Sequence, residues 1–123
     1  AYTNSPLVDY TRISPNRSVN RNHTIDTVTI HCVEDSARRD FRDYFCKEFS
    51  QASANYGIGY DGRVGLYVEE KDRSWCTSSS SNDNRAITIE VASDTYHPYA
   101  VTDAAYNKLI DLLVDICKRN DIS

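Results

Sequence analysis

The sequence predicts a single α/β domain built on a mixed β-sheet with flanking helices. Short β-branched segments with a two-residue alternation recur at 25–33, 54–60, 63–69 and 86–92. Elsewhere the large apolar residues take helical spacing, at 36–50 and again at 103–120. Strands interleaved with helices are the signature of the α/β class, not of a sandwich or a helical bundle.

Taken in order, residues 1–24 are rich in Asn, Ser, Arg and Pro and read as an extended arm or loop, leaving 25–123 as the domain proper. In the first strand Val28, Ile30 and Cys32 share one face, the core side, while Thr27, Thr29 and His31 share the other. Phe41, Tyr44, Phe45 and Phe49 form the stripe of the first helix, with Asp35 or Ser36 as its N-cap. Asp61-Gly62 between two strand-like runs predicts a hairpin, its turn needing positive φ at both central positions. Residues 71–85 have few large apolar side chains and read as a loop carrying Trp75. In the strand 86–92, Ile87, Ile89 and Val91 point one way, Thr88 and Glu90 the other. Thr102 caps a final helix whose stripe is Tyr106, Leu109, Ile110, Leu113, Ile116 and Cys117.

At 123 residues the chain can bury one core without staples. A formal net charge of −4, with Lys and Arg scattered, argues against a nucleic-acid partner. No apolar run reaches the roughly 18 residues of a membrane span, and the N-terminal residues lack the pattern of a signal peptide. Cys32, Cys46, Cys76 and Cys117 are widely spaced, with no C-x-x-C pair, and read as free thiols.

Two strands place an ionisable group on their less apolar face, His31 beside Thr29 and Glu90 beside Thr88. If the strands are neighbours, an imidazole and a carboxylate meet on one face, the minimum for metal-assisted hydrolysis with His as ligand and Glu as base. On periodicity alone the commoner readings are a hydrogen-bonded structural His and a solvent-facing Glu.

The local wording narrows this. Thr29-Ile30-His31-Cys32, then Ser53-Ala54-Asn55-Tyr56-Gly57-Ile58-Gly59-Tyr60-Asp61-Gly62, then Asn82-Asp83-Asn84-Arg85-Ala86-Ile87-Thr88-Ile89-Glu90 occur in that order. Together they resemble the zinc-dependent type 2 N-acetylmuramoyl-L-alanine amidases, a family that includes phage endolysins, bacterial autolysins and peptidoglycan recognition proteins. The resemblance covers about residues 25–120 and is nearest in wording to phage or prophage lysins. It implies the mixed sheet and flanking helices of that fold, and hydrolysis of the amide between N-acetylmuramic acid and L-alanine in bacterial peptidoglycan. It further implies Zn²⁺ as cofactor, His31 as a zinc ligand, and Glu90 as the base that takes a proton from the attacking water. Asn55, Trp75, Asp83 and Asn84 fall where the family lines its groove for a muramyl peptide. Synthesis in the bacterial cytoplasm and action at the cell wall follow from the same resemblance, while charge and hydropathy are what speak against a nucleic-acid or membrane partner.

The family takes its other two zinc ligands from a segment after the long helix. Nothing of that kind precedes Ser123, so the expectation is a C-terminally incomplete site that binds zinc poorly. His97, His23 and Cys32 are weak substitutes: the first two lie in loops, and Cys32 points away from His31. Two other functions stay open, a zinc-free peptidoglycan-binding module and an assembly fragment completed by a partner chain. For the hydrolase, the strands of His31 and Glu90 must be neighbours with both side chains on one face, no more than about 12 Å apart.

Overall fold

A computed structural model of the chain describes residues 3–33, 53–77, 79–92 and 100–122, the side chains of Cys32 and Val33 excepted. The helix expected at 36–50, and His97, lie outside the described residues. The elements are β1 (Tyr10–Thr11), β2 (Arg17–Ser18), β3 (Thr27–Val33), β4 (Tyr56–Ile58), β5 (Val64–Leu66), β6 (Arg73–Ser74), α1 (Ser80–Arg85), β7 (Ala86–Ala92) and α2 (Asp103–Arg119).

Five strands form a mixed sheet in the order β1-β5-β4-β7-β3. β4 and β5 are the antiparallel hairpin, while β1 joins β5, and β7 joins both β4 and β3, in parallel. β7 is thus a central strand, and every one of its residues is buried. A strand covered on both faces is ordinarily apolar throughout, so polar residues on one of its faces call for partners. Ile87, Ile89 and Val91 enter the core with Tyr56, Ile58, Val64 and Leu66, and Thr88 and Glu90 take the second face.

The hairpin turn differs from expectation. Only Gly62 takes positive φ, at 82°, and its N–H donates to the Gly59 carbonyl at 3.0 Å. One left-handed residue suffices when the loop is longer than two residues. A side chain there would also meet the Ala104 carbonyl, since an added Cβ would lie 2.9 Å from that oxygen. Thr102 Oγ1 donates to the Tyr60 carbonyl at 2.7 Å and accepts from the Ala105 N–H at 3.1 Å, capping α2 and tying it to the hairpin.

α2 packs with Ala105, Leu112 and Ile116 innermost and Leu109 and Leu113 beside them. Tyr106 and Ile110, expected in the stripe, are exposed. The buried stripe is therefore rotated towards Ala105, Leu112 and Ile116. Residues 71–85 are not all loop: β6 pairs with β2, and Ser79 caps α1 through the Asn82 N–H. The N-terminal residues are hydrogen-bonded into the body, with Arg21 donating to the carbonyls of Glu70, Asp83, Asn84 and Ala86. No described helix is long and apolar enough to cross a membrane.

Candidate active site

The parallel pairing of β3 with β7 sets His31 directly beside Glu90, and Gly57 of β4 is paired with Glu90 on its other side. Partnered residues share a face, so the imidazole and carboxylate lie together next to a position without a side chain. His31 Nδ1 and Glu90 Oε1 are 3.6 Å apart, with the side chains 43% and 10% exposed. The pair sits towards the carboxyl ends of parallel strands, where open α/β sheets place their ligands.

The chain from β6 onward crosses this face. Ser74 Oγ meets Thr88 Oγ1 at 2.6 Å, and two residues on, Cys76 Sγ meets Glu90 Oε1 at 3.4 Å. Trp75, between them, turns the other way, donating its indole N–H to Ser18 Oγ at 3.1 Å. Asn82 of α1 donates to Thr29 Oγ1 at 3.1 Å, closing the end of the face away from His31.

Burial pushes the Glu90 carboxyl above the usual carboxylate range, opposed by the Cys76 thiol bond and the nearby imidazole. Burial likewise pushes the Cys76 thiol up, and the Glu90 charge adds to it. Glu90 Oε2 is buried with no hydrogen-bond partner among the described residues. One ligand atom each from His31, Cys76 and Glu90 lies within 4.8 Å of the others. An N, S, O donor set suits a borderline-soft cation such as zinc. These residues fit the metal that the sequence resemblance implies.

Four side chains expected along the groove fare differently. Asn55 is fully buried, its Nδ2 donating to the carbonyls of Val68 and Glu69 and its Oδ1 accepting from the Thr88 N–H. Asp83 accepts from the Thr77 N–H and hydroxyl, and burial raises its carboxyl above the usual range. Asn84 Oδ1 accepts from the Asn22 N–H and its Nδ2 donates to the Ser80 carbonyl. All three are buried, with these polar atoms bonded within the chain. Trp75 alone of the four is half-exposed. Cys76 is the residue that sequence reasoning missed. Its one signal is that it stands two residues after Ser74, an alternation that has meaning only once β6 is known to cross β7.

The sequence matches the profile of the N-acetylmuramoyl-L-alanine amidase family over residues 21–123. No curated protein matches it in sequence. Among solved structures, the fold is similar to an endolysin N-acetylmuramoyl-L-alanine amidase, LysCS of Clostridium intestinale. That match has a TM-score of 0.77 at 14% identity and covers 99% of this chain and 80% of that one. It is similar also to a mutant endolysin from Bacillus subtilis, with TM-score 0.67 at 18% identity over 94% of this chain and 79% of that one. Drosophila peptidoglycan recognition protein SA matches with TM-score 0.66 at 19% identity over 91% and 69% of the two chains. These likenesses bear on the fold, and the sequence profile bears on the family. The mixed sheet, the motif order and the profile match agree: the chain belongs to the N-acetylmuramoyl-L-alanine amidase family, hydrolases of the amide that joins N-acetylmuramic acid to L-alanine in peptidoglycan.

Proposed function

We propose that this amidase is a zinc-dependent, endolysin-type enzyme of the bacterial cell wall, with His31 as a metal ligand and Glu90 as general base. The observation that carries the reading is the register of β3 on β7, which puts the imidazole beside a buried carboxylate. Zinc, when bound, supplies a Lewis acid that brings a water pKa towards about 7 and polarises the scissile carbonyl.

The rest is the work of the chain. Glu90 is held in low dielectric, so its carboxylate is more basic than one in water and better matched to accepting a proton from the attacking water. The hydroxyl adds to the lactyl carbonyl carbon, and Glu90 passes the proton to the departing L-alanine nitrogen. The products are a free lactyl carboxyl group and an N-terminal amine. His31, the more exposed partner, marks the side from which substrate enters. Trp75, half-exposed and anchored at Ser18 by its N–H, offers an aromatic surface for a sugar or peptide to lie against, on the side turned away from Glu90.

The test measures release of N-terminal L-alanine amines from purified cell wall, alongside bound zinc. Glu90→Gln should keep fold and zinc yet lower turnover by roughly 10²-fold or more, the scale of losing a positioned base. His31→Ala should lower zinc and turnover together. Near-full turnover of Glu90→Gln with zinc in place would show that Glu90 is only a strand residue.

A further inference from the structure

We propose that Cys76 is a ligand of the same metal ion as His31, its Sγ and an imidazole nitrogen binding side by side with the Glu90 carboxylate adjoining. The inference rests on the reading of His31 as a ligand and adds a donor that the family's motif order does not supply.

Placement comes first. Cys76 does not hang on a free loop. The Ser53 N–H donates to the Trp75 carbonyl at 3.1 Å, and the Trp75 N–H donates to Ser53 Oγ at 2.9 Å. On the other side, Thr77 is bonded to Asp83 through both its N–H and its hydroxyl. Both neighbours being pinned, Sγ is delivered to one place, over Glu90.

Distance comes second. The donor atoms of the three side chains lie within 4.8 Å of one another. Donors on a tetrahedral zinc, with bonds of about 2.0 Å to nitrogen and 2.3 Å to sulfur, stand about 3.5 Å apart. Side-chain movements of about 1 Å close the difference, which rotamer adjustment supplies without moving the strands.

The surroundings come third. A structural buried cysteine normally packs among apolar groups. Cys76 packs on one side against Ala54, Tyr67 and Ala92, but its Sγ meets a carboxylate, with an imidazole and the Thr88 hydroxyl nearby. The thiol satisfies one Glu90 oxygen weakly and leaves the other without a partner among the described residues. A divalent cation resolves this. The S–H bond breaks, its proton leaves to bulk water, the sulfur lone pair binds the ion, and the buried carboxylate gains a neighbouring positive charge.

The experiment uses the full chain loaded with zinc or with cobalt. X-ray absorption of the zinc form should show a sulfur neighbour at about 2.3 Å, and the cobalt form a thiolate-to-metal charge-transfer band. Cys76→Ser should abolish both and weaken zinc binding by roughly 10²-fold or more, since outer-sphere losses alone cost 10–100-fold. Cys117→Ser, on α2, should change neither. Cys76→Asp, which restores an anionic donor, should recover much of the affinity without the sulfur signals. Cooperative unfolding of each metal-free variant checks the fold. A wild-type zinc shell of nitrogen and oxygen only, or a sulfur shell that survives Cys76→Ser, overturns the proposal. Zinc lost in His31→Ala but held at full affinity in Cys76→Ser would sink this inference and leave the His31 reading standing. Zinc held by both variants would sink the two together.

Discussion

Glu70 stands at the centre of a buried network, and its removal should destabilise the fold by about 3 kcal/mol. The side chain is fully buried. Oε2 accepts from the Tyr56 hydroxyl and from Arg119 Nη2 at 2.6 Å; Oε1 accepts from Arg119 Nη1 at 3.2 Å and Asn120 Nδ2 at 3.1 Å. Its backbone N–H donates to Asn4 Oδ1 at 2.9 Å, and the Tyr56 oxygen accepts from the Ser5 N–H at 2.8 Å. One carboxylate therefore joins the N-terminal residues, β4 and the end of α2. In Glu70→Ala the buried Tyr56 hydroxyl loses its acceptor, a cost of about 1–2 kcal/mol. Arg119 keeps Asp115 at 2.9 Å and is 21% exposed, so its loss is nearer 1 kcal/mol than the 3–5 kcal/mol of a fully buried broken pair. The space left by the carboxylate adds about 1 kcal/mol, and relief of its desolvation offsets part of the total. A loss of about 3 kcal/mol is a large share of the 5–15 kcal/mol typical of a domain. Urea unfolding in the presence of a chelator, which removes metal linkage, should show a midpoint about 2 M lower for a slope near 1.5 kcal/mol per M. Glu70→Gln, which keeps an acceptor and the volume, should fall between. A midpoint shift under about 0.5 M at unchanged slope would mean that Arg119 and Tyr56 find water or other partners, and the network reasoning would be wrong.

Burial and the Glu70 charge hold the Tyr56 hydroxyl above its ordinary value of 10.0. The folded state therefore keeps a proton that the unfolded chain gives up, and stability should be complete below pH 10 and fall above it by about 1.4 kcal/mol per pH unit. Urea midpoints measured one pH unit either side of that value should show the slope, and Tyr56→Phe should flatten it. In metal-free protein Glu90→Gln should melt above the wild type at neutral pH, because the folded carboxyl is raised from its ordinary 4.5 and its ionised form is disfavoured by burial. The gap should open only as pH rises through about 4.5, below which both states hold the proton; calorimetry at acid and neutral pH reads it, and a wild type melting above the variant at neutral pH would contradict the burial argument.

Much of this was legible where structure is local. β7 alternates cleanly because one face is the apolar core of Ile87, Ile89 and Val91 and the other carries Thr88 and Glu90, and Thr102 announces α2 through a cap of a single residue. The adjacency of His31 and Glu90 is long-range, and only matching in-out patterns with an ordered set of motifs pointed to it. α1 was illegible: Ser, Asn and Asp are poor helix formers, and the turn exists because Ser79 caps it and Asp83 and Asn84 are fastened to Thr77 and Asn22. Glu70 lies in the charged run Glu69-Glu70-Lys71-Asp72 and reads as solvated surface, since its partners come from residues 4, 56, 119 and 120. Asn55 and Cys76 share that difficulty. Their roles are set by which strand crosses which, and no window of sequence contains both.

The two polar residues on the inner face of β7 separate structure from function. Thr88 and Glu90 stand two apart on one strand, and both are buried. Around Thr88 every group is satisfied: its N–H donates to Asn55, and its hydroxyl meets both Asn55 and Ser74. That is the pattern of a group buried to hold a fold together. Glu90 has the burial without the satisfaction, with one oxygen on a weak thiol bond and the other without a partner among the described residues. A chain that can supply Asn55 to one residue could have supplied a donor to its neighbour. Leaving that carboxylate incomplete costs stability and is sustained by networks elsewhere, such as the one around Glu70. The incompleteness is useful only if something from outside the chain, a cation or the proton of a water, completes it.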